Sequence, residues 1–248
     1  MSENIITIKN LEKKFPEAGG HRKTEVFHDI NLTIKEGEFL VMLGPSGCGK
    51  STLLRIISGL DKANSGTVEY GPAYNPEKIG FVFQNFGILP WLTVRENIEL
   101  SLIEGKVGKG EITKESKEVL EEFGLYEAKD KYPHELSGGM RQRVGLARAF
   151  IIKPSVIFLD EPFSELDFFT ATNLRNLLLK MWKDQKTTVV MVSHYIEEAI
   201  YLADRIAIFS DKPSTIKAVI ANDLDRPRDL RSESFYRIED EVIKHFKY

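Results

Sequence analysis

The stretch GPSGCGKST at residues 44–52 has the residue types and spacing of a phosphate-binding loop. It follows the apolar run FLVML and precedes a helical pattern. Backbone N–H groups of such a glycine-rich turn point into a concavity at the positive end of the helix, where phosphate oxygens are favoured. Lys50 would reach the outer phosphates and the Ser51 hydroxyl would ligate Mg²⁺. The sequence therefore predicts a site for a nucleoside triphosphate.

Two carboxylates follow a second apolar run, in VIFLDEP. A site for Mg²⁺ and a triphosphate needs a further carboxylate at the tip of a buried strand, and Asp160 has that position. Glu161, one residue later, would polarise an attacking water as a general base. Taken alone, such a pair can also simply begin a loop.

A third stretch, ELSGGMRQRVGLARAF, places Ser137, Gly138 and Gly139 ahead of a long helical pattern. A hydroxyl and two glycines at a helix N-terminus would form a second anion site. The alternative is an ordinary N-cap with a flexible lead-in.

The elements that must position these residues indicate an α/β fold. IITIKN and INLTIKEGE alternate apolar and polar residues, which predicts an antiparallel β flank. FLVML, IGFVF, VIFLD and TTVVMVS are almost entirely apolar, as expected of parallel strands buried on both faces. STLLRIISGL and DFFTATNLRNLLLKMWKDQ have helical spacing.

The predicted organisation is a single domain over residues 1–248. Residues 1–89 and 150–222 form its core lobe. Residues 90–149 have helical patterns without a convincing strand and form an inserted helical subdomain, and residues 223–248 form an amphipathic C-terminal helix extension. The polar stretch at 16–25 is interpreted as a loop.

Composition and charge narrow the class of protein. The formal net charge of -3 does not indicate a nucleic-acid binder, and the single cysteine fits a reducing compartment. The N-terminus lacks the pattern of a secretory signal, and no apolar run approaches the ~18–20 residues of a membrane span. We therefore expect a cytoplasmic protein that reaches a membrane only through a partner.

In order, GPSGCGKS, Gln84 in FVFQNFGILPWLTVREN, LSGGMRQRVGLARA, VIFLDEP, SELD and His194 in VVMVSHYIEEA resemble the motifs of an ABC-type ATPase subunit. The resemblance covers about residues 5 to 220. It implies a P-loop NTPase core of the RecA-like type. It also implies that the subunit closes head to tail with a second copy of itself around two molecules of Mg-ATP.

The resemblance assigns roles to residues. Glu161, His194 and Gln84 are implied to be catalytic, and Gln84 would also sense Mg²⁺. His194 would contact the γ-phosphate, and Asp167 would couple the two sites. ATP would be bound by Phe15, against adenine, and by Gly44, Pro45, Ser46, Gly47, Cys48, Gly49, Lys50, Ser51 and Thr52. In trans it would be bound by Ser137, Gly138, Gly139 and Asp167. The metal would be bound by Ser51, Gln84 and Asp160.

Other interpretations remain open for several of these residues. Gln84 and His194 could each be a polar residue that satisfies loop backbone, and Phe15 could belong to the core. Cys48 is either a redox switch or a small residue tolerated in the loop. Two features depart from the family pattern: Glu165 replaces a small residue, and FFTAT follows SELD.

LPWLTVRENI and the tail RPRDLRSESFYRIEDEVIKHF resemble the nitrate, sulfonate and taurine importer ATPases. This implies a separate integral membrane permease, an external solute-binding protein and a peripheral position on the cytoplasmic face of the membrane. Phe86, Leu89 and Trp91 are predicted to be an exposed docking surface. Two alternatives are a soluble ABC-type ATPase acting on nucleic acid, and a small-molecule kinase that shares only the phosphate loop.

Overall fold

The computed structural model describes residues 3–16, 23–104 and 108–246. The chain divides into two compact units, one of residues 1–74 with 188–248 and the other of residues 75–187. The finer division into core lobe, helical subdomain and C-terminal extension stays a prediction. Residues 17–22 of the predicted polar loop lie outside the described part of the chain.

An antiparallel sheet opens the first unit, as the alternating patterns predict. Strand β1 (Asn4–Pro16) lies between β2 (Lys23–Lys35) and β4 (Ser65–Tyr70). Its apolar residues Ile6, Ile8 and Leu11 are buried. Strand β4 was not predicted, because its sequence SGTVEY is mostly polar and mostly exposed.

A second group of strands carries the phosphate loop. Strand β3 (Phe39–Leu43) lies between β7 (Thr188–Ser193) and β8 (Arg205–Phe209) and is parallel to both. Strand β9 (Ile216–Ala221) is antiparallel to β8. All residues of β3 and β7 are buried, which is why their sequences are almost entirely apolar.

The described part of the same unit also contains helices α1 (Lys50–Ile57), α6 (Ile196–Leu202) and α7 (Glu233–Lys244). The C-terminal tail thus forms a helix, capped by Ser232, whose Oγ accepts a hydrogen bond from the Phe235 amide at 3.2 Å. Phe235 and Val242 are buried, and α7 lies against α6.

In its described residues, 75–104 and 108–187, the second unit combines two parallel strands with four α-helices. Strands β5 (Ile79–Val82) and β6 (Val156–Asp160) pair in parallel. The α-helices are α2 (Val94–Glu104), α3 (Lys109–Glu122), α4 (Gly138–Phe150) and α5 (Phe168–Gln185), and short 3-10 turns occupy Tyr126–Ala128 and Pro133–Glu135. Across the three described ranges, none of the helices has both the length and the apolar character needed to cross a membrane.

A buried asparagine shapes the loop that enters α2. Asn97 is fully buried, and its Oδ1 accepts a hydrogen bond from the Leu89 amide at 2.7 Å. Its Nδ2 donates to the carbonyl oxygens of Leu89, Leu92 and Thr93 at 2.9–3.1 Å. A buried amide with this many partners stabilises one loop conformation, because leaving any of these polar groups unpaired would cost free energy.

Candidate functional site

The phosphate loop connects β3 to α1 and depends on glycine at defined positions. Gly49 has φ +108°, and a Cβ there would lie 2.5 Å from Val26 Cγ1. Gly47 has φ +77°, in the left-handed region that other residues rarely adopt. This backbone therefore requires glycine at residue 49 and favours it at residue 47.

Lys50 fills the loop with its own side chain. The residue is 3% exposed, and its Nζ donates to the carbonyl oxygens of Gly44 at 2.7 Å and Pro45 at 2.8 Å. It also lies 3.6 Å from Cys48 Sγ. A positive charge is thus held at the N-terminus of α1, and anionic oxygens would bind it more strongly than these neutral carbonyls do.

A residue outside the sequence motifs also contacts the phosphate loop. The Oγ of Ser214, which is fully buried, donates to the Cys48 carbonyl oxygen at 2.7 Å. The Ser214 backbone pairs with β2, since its amide donates to Val26 O at 2.9 Å and its carbonyl accepts from the His28 amide at 3.2 Å. A serine in a loop carries no sequence signal for this contact.

Phe15 lies near the end of β1 and is 44% exposed, so it is not an ordinary core residue. Lys13 Nζ lies 4.8 Å from its ring centroid and also pairs with Asp61 at 2.9 Å. The hydrogen bond from Lys13 lowers the pKa of the Asp61 carboxyl below its usual value. The aromatic face therefore lies beside a fixed ion pair on the surface of the first unit.

His194 follows β7 directly and shares a sheet edge with the phosphate loop. Leu43 of β3 pairs with Ser193 of β7, so Gly44 and His194 each come next at the carboxyl ends of adjacent parallel strands. The His194 ring lies 4.0 Å from the Tyr195 ring, centroid to centroid. The first unit thus brings His194 to the edge of the sheet where the phosphate loop begins.

The second unit repeats this arrangement with acidic and amide side chains. Val82 of β5 pairs with Leu159 of β6, so Gln84 and Asp160 lie just beyond paired residues at the same edge. Asp160 is buried, whereas Gln84 is exposed. The unit therefore brings two of the predicted metal ligands to one edge of this strand pair.

Glu161 has φ +47°, an uncommon backbone conformation for a residue with a side chain. Its carbonyl oxygen accepts hydrogen bonds from the Ser164 amide at 3.4 Å and the Ser164 hydroxyl at 3.1 Å, which hold the turn after β6. Backbone in such regions costs on the order of 1–3 kcal/mol and concentrates at functional sites.

The prediction of an exposed Phe86 is wrong. Phe86 is 7% exposed and its backbone lies against Gly145 of α4, where a Cβ would be 3.2 Å from the Phe86 carbonyl oxygen. Arg148 further holds this loop by donating to the Phe86 and Gly87 carbonyl oxygens at 3.1 and 2.8 Å. Leu89 is half-buried, and Trp91 is 69% exposed.

The Ser-Gly-Gly turn is the N-terminus of α4. Ser137 is the N-cap, and its Oγ accepts from the Met140 amide at 3.3 Å. Ser137 is exposed, and Gly138 and Gly139 are half-buried. A Cβ at Gly139 would lie 2.5 Å from Thr170 Cγ2, so this position has no room for a larger residue. Ser137 is therefore an N-cap, as the alternative interpretation predicted. Because this cap is exposed, a ligand could also reach it.

Asp167 caps α5 in the same way. Its Oδ1 accepts from the Thr170 amide at 3.0 Å, and hydrogen bonds from Thr170 lower the pKa of its carboxyl. The next two residues, Phe168 and Phe169, are 62% and 78% exposed. Glu165, which departs from the family pattern, is also exposed.

Known proteins share both the motifs and this fold. A model of the ABC transporter family matches residues 27–164. The aliphatic sulfonates import ATP-binding protein SsuB of Bacillus licheniformis is 43% identical over 98% of this chain and 94% of its own length. This chain belongs to the ABC transporter family. It is therefore an ATPase coupled to transport, as the ordered motifs predict.

Two further ABC proteins extend the comparison. The bicarbonate transport ATP-binding protein CmpD of Synechocystis is 39% identical, over 96% of this chain and 88% of its own length. The dimeric ABC transporter cassette MJ0796, bound to ADP and phosphate, is 34% identical and has a TM-score of 0.77 over 89% of this chain and all of that one. These similarities confirm the predicted P-loop NTPase fold, in which this ABC subunit binds ATP.

Proposed function

We propose that this chain is the ATP-hydrolysing subunit of an ABC importer. The main support is the environment of Lys50. This residue is 3% exposed, and its Nζ donates to two carbonyl oxygens of its own loop, at 2.7 and 2.8 Å. A triphosphate would replace these neutral acceptors with anionic oxygens and add the backbone N–H groups at the start of α1.

Nucleotide is bound along the whole loop, by residues 44–52, with the base against Phe15. The 44% exposure of Phe15 supports this role, because a stacking platform needs a free face. The likeness to a cassette bound to ADP and phosphate supports the binding of a nucleotide by this chain. Mg²⁺ would be bound by Ser51, Gln84 and Asp160, whose side chains supply the oxygen donors that this ion prefers. When bound, it would neutralise charge on the transferring phosphoryl group.

Glu161 acts as the general base that activates water, and His194 contacts the γ-phosphate. The unusual φ of +47° at Glu161 supports its role, because strain of this kind is retained where the surrounding structure fixes a functional side chain. Gln84 responds to the metal and the attacking water. Each of these residues follows the carboxyl end of a parallel strand, the edge where α/β proteins bind ligands.

Two copies of the chain close head to tail around two ATP molecules. Ser137, Gly138 and Gly139 then serve the γ-phosphate of the other copy, and Asp167 couples the two sites. Ser137 is an exposed, uncharged cap at the N-terminus of α4, which supports contact with an anion from outside the chain. Asp167, the cap of α5, is also exposed, so another copy of the chain could reach it. The dimeric state of the MJ0796 cassette supports the same assembly.

The closing motion drives a separate integral membrane permease that receives its solute from an external binding protein. The chain would sit on the cytoplasmic face of the membrane as a peripheral subunit, with the exposed Trp91 on its docking surface. The names of its relatives, importers of aliphatic sulfonates and of bicarbonate, support a small solute of the nitrate, sulfonate or taurine group.

The proposal is tested by tagging the chain in its own cells and solubilising the membranes gently with ATP and vanadate. We expect a multi-span membrane protein to co-purify in stoichiometric amount. Uptake of labelled taurine, nitrate and bicarbonate in cells lacking the gene would then identify the solute. Recovery only from the soluble fraction, with nucleic acid attached, would overturn the importer assignment.

A further inference from the structure

A buried hydrogen bond ties the turn that carries His194 to the following helix. Ser193 Oγ donates to Glu198 Oε2 at 2.5 Å and accepts from the Tyr195 amide at 3.1 Å. Ser193 and Glu198 are 1% and 2% exposed. One hydroxyl therefore fixes the backbone on both sides of His194, and Glu198 fixes that hydroxyl.

The other end of α6 is held by the segment after β9. Arg228 is buried, and its Nη1 donates to the carbonyl oxygens of Ile200, Tyr201 and Ala203 at 2.6, 3.2 and 2.6 Å. Asn222 Nδ2 donates to two of the same oxygens, of Ile200 at 2.8 Å and Ala203 at 3.1 Å. We call Asn222 and Arg228 the α6 clamp.

The clamp satisfies the carbonyl groups that a helix leaves unpaired in its last turn, and it places a cation at the negative end of the helix dipole. The burial of Arg228 lowers the pKa of its guanidinium to about 10. Helix α6 has only 7 residues, a length that is not stable without tertiary contacts. Its position therefore depends on what holds its two ends.

We propose that Glu198 is a positioning residue for His194, with the α6 clamp fixing the helix from which Glu198 reaches the turn. The inference rests on the proposed role of His194 at the γ-phosphate and adds a device that sets its position. The C-terminal segment thereby contributes to hydrolysis although Arg228 has no contact with the phosphate loop among the hydrogen bonds described. A displaced side chain is costly, because misplacement by about 1 Å can reduce turnover by ~100-fold.

The direct test compares Glu198→Ala with Glu198→Gln in the full chain, measuring kcat and KM for ATP. We expect Glu198→Ala to reduce kcat roughly tenfold to a hundredfold. KM should not change, because the phosphate loop is intact. Glu198→Gln retains an oxygen that accepts from Ser193 Oγ, so it should restore most of the turnover. Glu197→Ala, at an exposed neighbour on the same helix, is the matched control and should leave kcat unchanged.

A second comparison separates positioning from a general loss of stability. In a His194→Ala background, Glu198→Ala should lower kcat no further, although it should lower the melting temperature in both backgrounds. Arg228→Lys should follow the same pattern with a smaller loss, since an ammonium cannot reproduce the guanidinium contacts. If Glu198→Ala does not fold, Ser193→Ala breaks the same hydrogen bond with little change in volume and replaces it in both comparisons.

Two results would overturn the inference and leave the proposed function intact. One is an equal loss of kcat from Glu198→Ala with and without His194, and the other is unchanged turnover in Glu198→Ala. If His194→Ala itself leaves hydrolysis unchanged, the assigned role of His194 fails, and the inference fails with it. The three results are distinct, so the failure of either proposal can be recognised.

Discussion

The phosphate loop of the first unit and the Ser-Gly-Gly turn of the second both lie at helix N-termini, but they differ in how much of the site each completes. The loop is held by hydrogen bonds within the unit. Lys50 Nζ donates to two carbonyl oxygens of the loop, and Ser214 Oγ donates to the Cys48 carbonyl oxygen. The turn is exposed, and Ser137 Oγ, 3.3 Å from the Met140 amide, is its cap.

This difference indicates how a nucleotide site can be divided between copies of one chain. A preorganised loop retains affinity for phosphate in a single copy, because little reorganisation is needed when the ligand binds. An exposed helix N-terminus offers donors but no enclosing wall, so it adds affinity only when another surface brings the anion to it.

The largest effect is expected from Glu161→Gln, which keeps the size of the side chain and removes the general base. General bases typically contribute 10²–10⁴-fold, so steady hydrolysis should fall by about that factor. Binding of ATP, measured by fluorescence of a labelled analogue, should be retained because the loop is unchanged. Brisk turnover by this variant would exclude Glu161 as the base.

Lys50→Ala should act on the loop and not on the turn. It removes charge-assisted hydrogen bonds that are worth roughly 1.5–3 kcal/mol, so the affinity for ATP should fall by ~10–100-fold. Calorimetric titration of the single copy measures this. A variant that binds ATP as tightly as the natural chain would show that the buried cation does not serve phosphate.

Ser137→Ala should reduce the affinity of a single copy for ATP less than Lys50→Ala does. In a single copy, the Ser-Gly-Gly turn is not expected to contact the nucleotide. Loss of the cap costs about 0.5–2 kcal/mol of stability. Ser232→Ala, which removes the equivalent cap from α7, is the matched control. Both variants should melt at lower temperature, but only Ser137→Ala should lower ATP turnover. An equal loss of turnover in the two variants would mean that the effect comes from stability alone.

The smallest expected effect is the pH dependence of the stability that Asp167 contributes. Hydrogen bonds from Thr170 lower the folded-state pKa of Asp167, so its carboxylate stabilises the fold above the unfolded pKa of about 3.9. That contribution is lost as the pH falls through the lower folded value. The gap in melting temperature between the natural chain and Asp167→Ala should therefore be present at pH 7 and close on acidification. A gap that is independent of pH would contradict this.

The sequence predicted the parts of this fold that rest on local pattern. Strands β3, β6 and β7 are almost entirely apolar, and Gly49 of the phosphate loop occupies a position that requires glycine. Strand β4 was missed because SGTVEY is polar and lies on an edge of its sheet. Periodicity has no signal for such a strand.

Long-range contacts account for a second kind of difference. Phe86 was expected on the surface, but Gly145 leaves space on α4 that no local pattern reveals. Ser214 supports Cys48 from 166 residues away, and Arg228 reaches Ile200 from 28 residues away. Such partners are set by the fold as a whole, so residue type and spacing alone did not indicate them.

The most direct test of a site divided between copies is complementation of two inactive variants. Lys50→Ala has a defective loop and an intact turn, whereas Ser137→Arg has an intact loop and a blocked turn. A head-to-tail pair of the two contains one complete site, so mixing them should restore hydrolysis well above the sum of the separate activities. If the mixture is no more active than that sum, the Ser-Gly-Gly turn does not act on the nucleotide of the other copy.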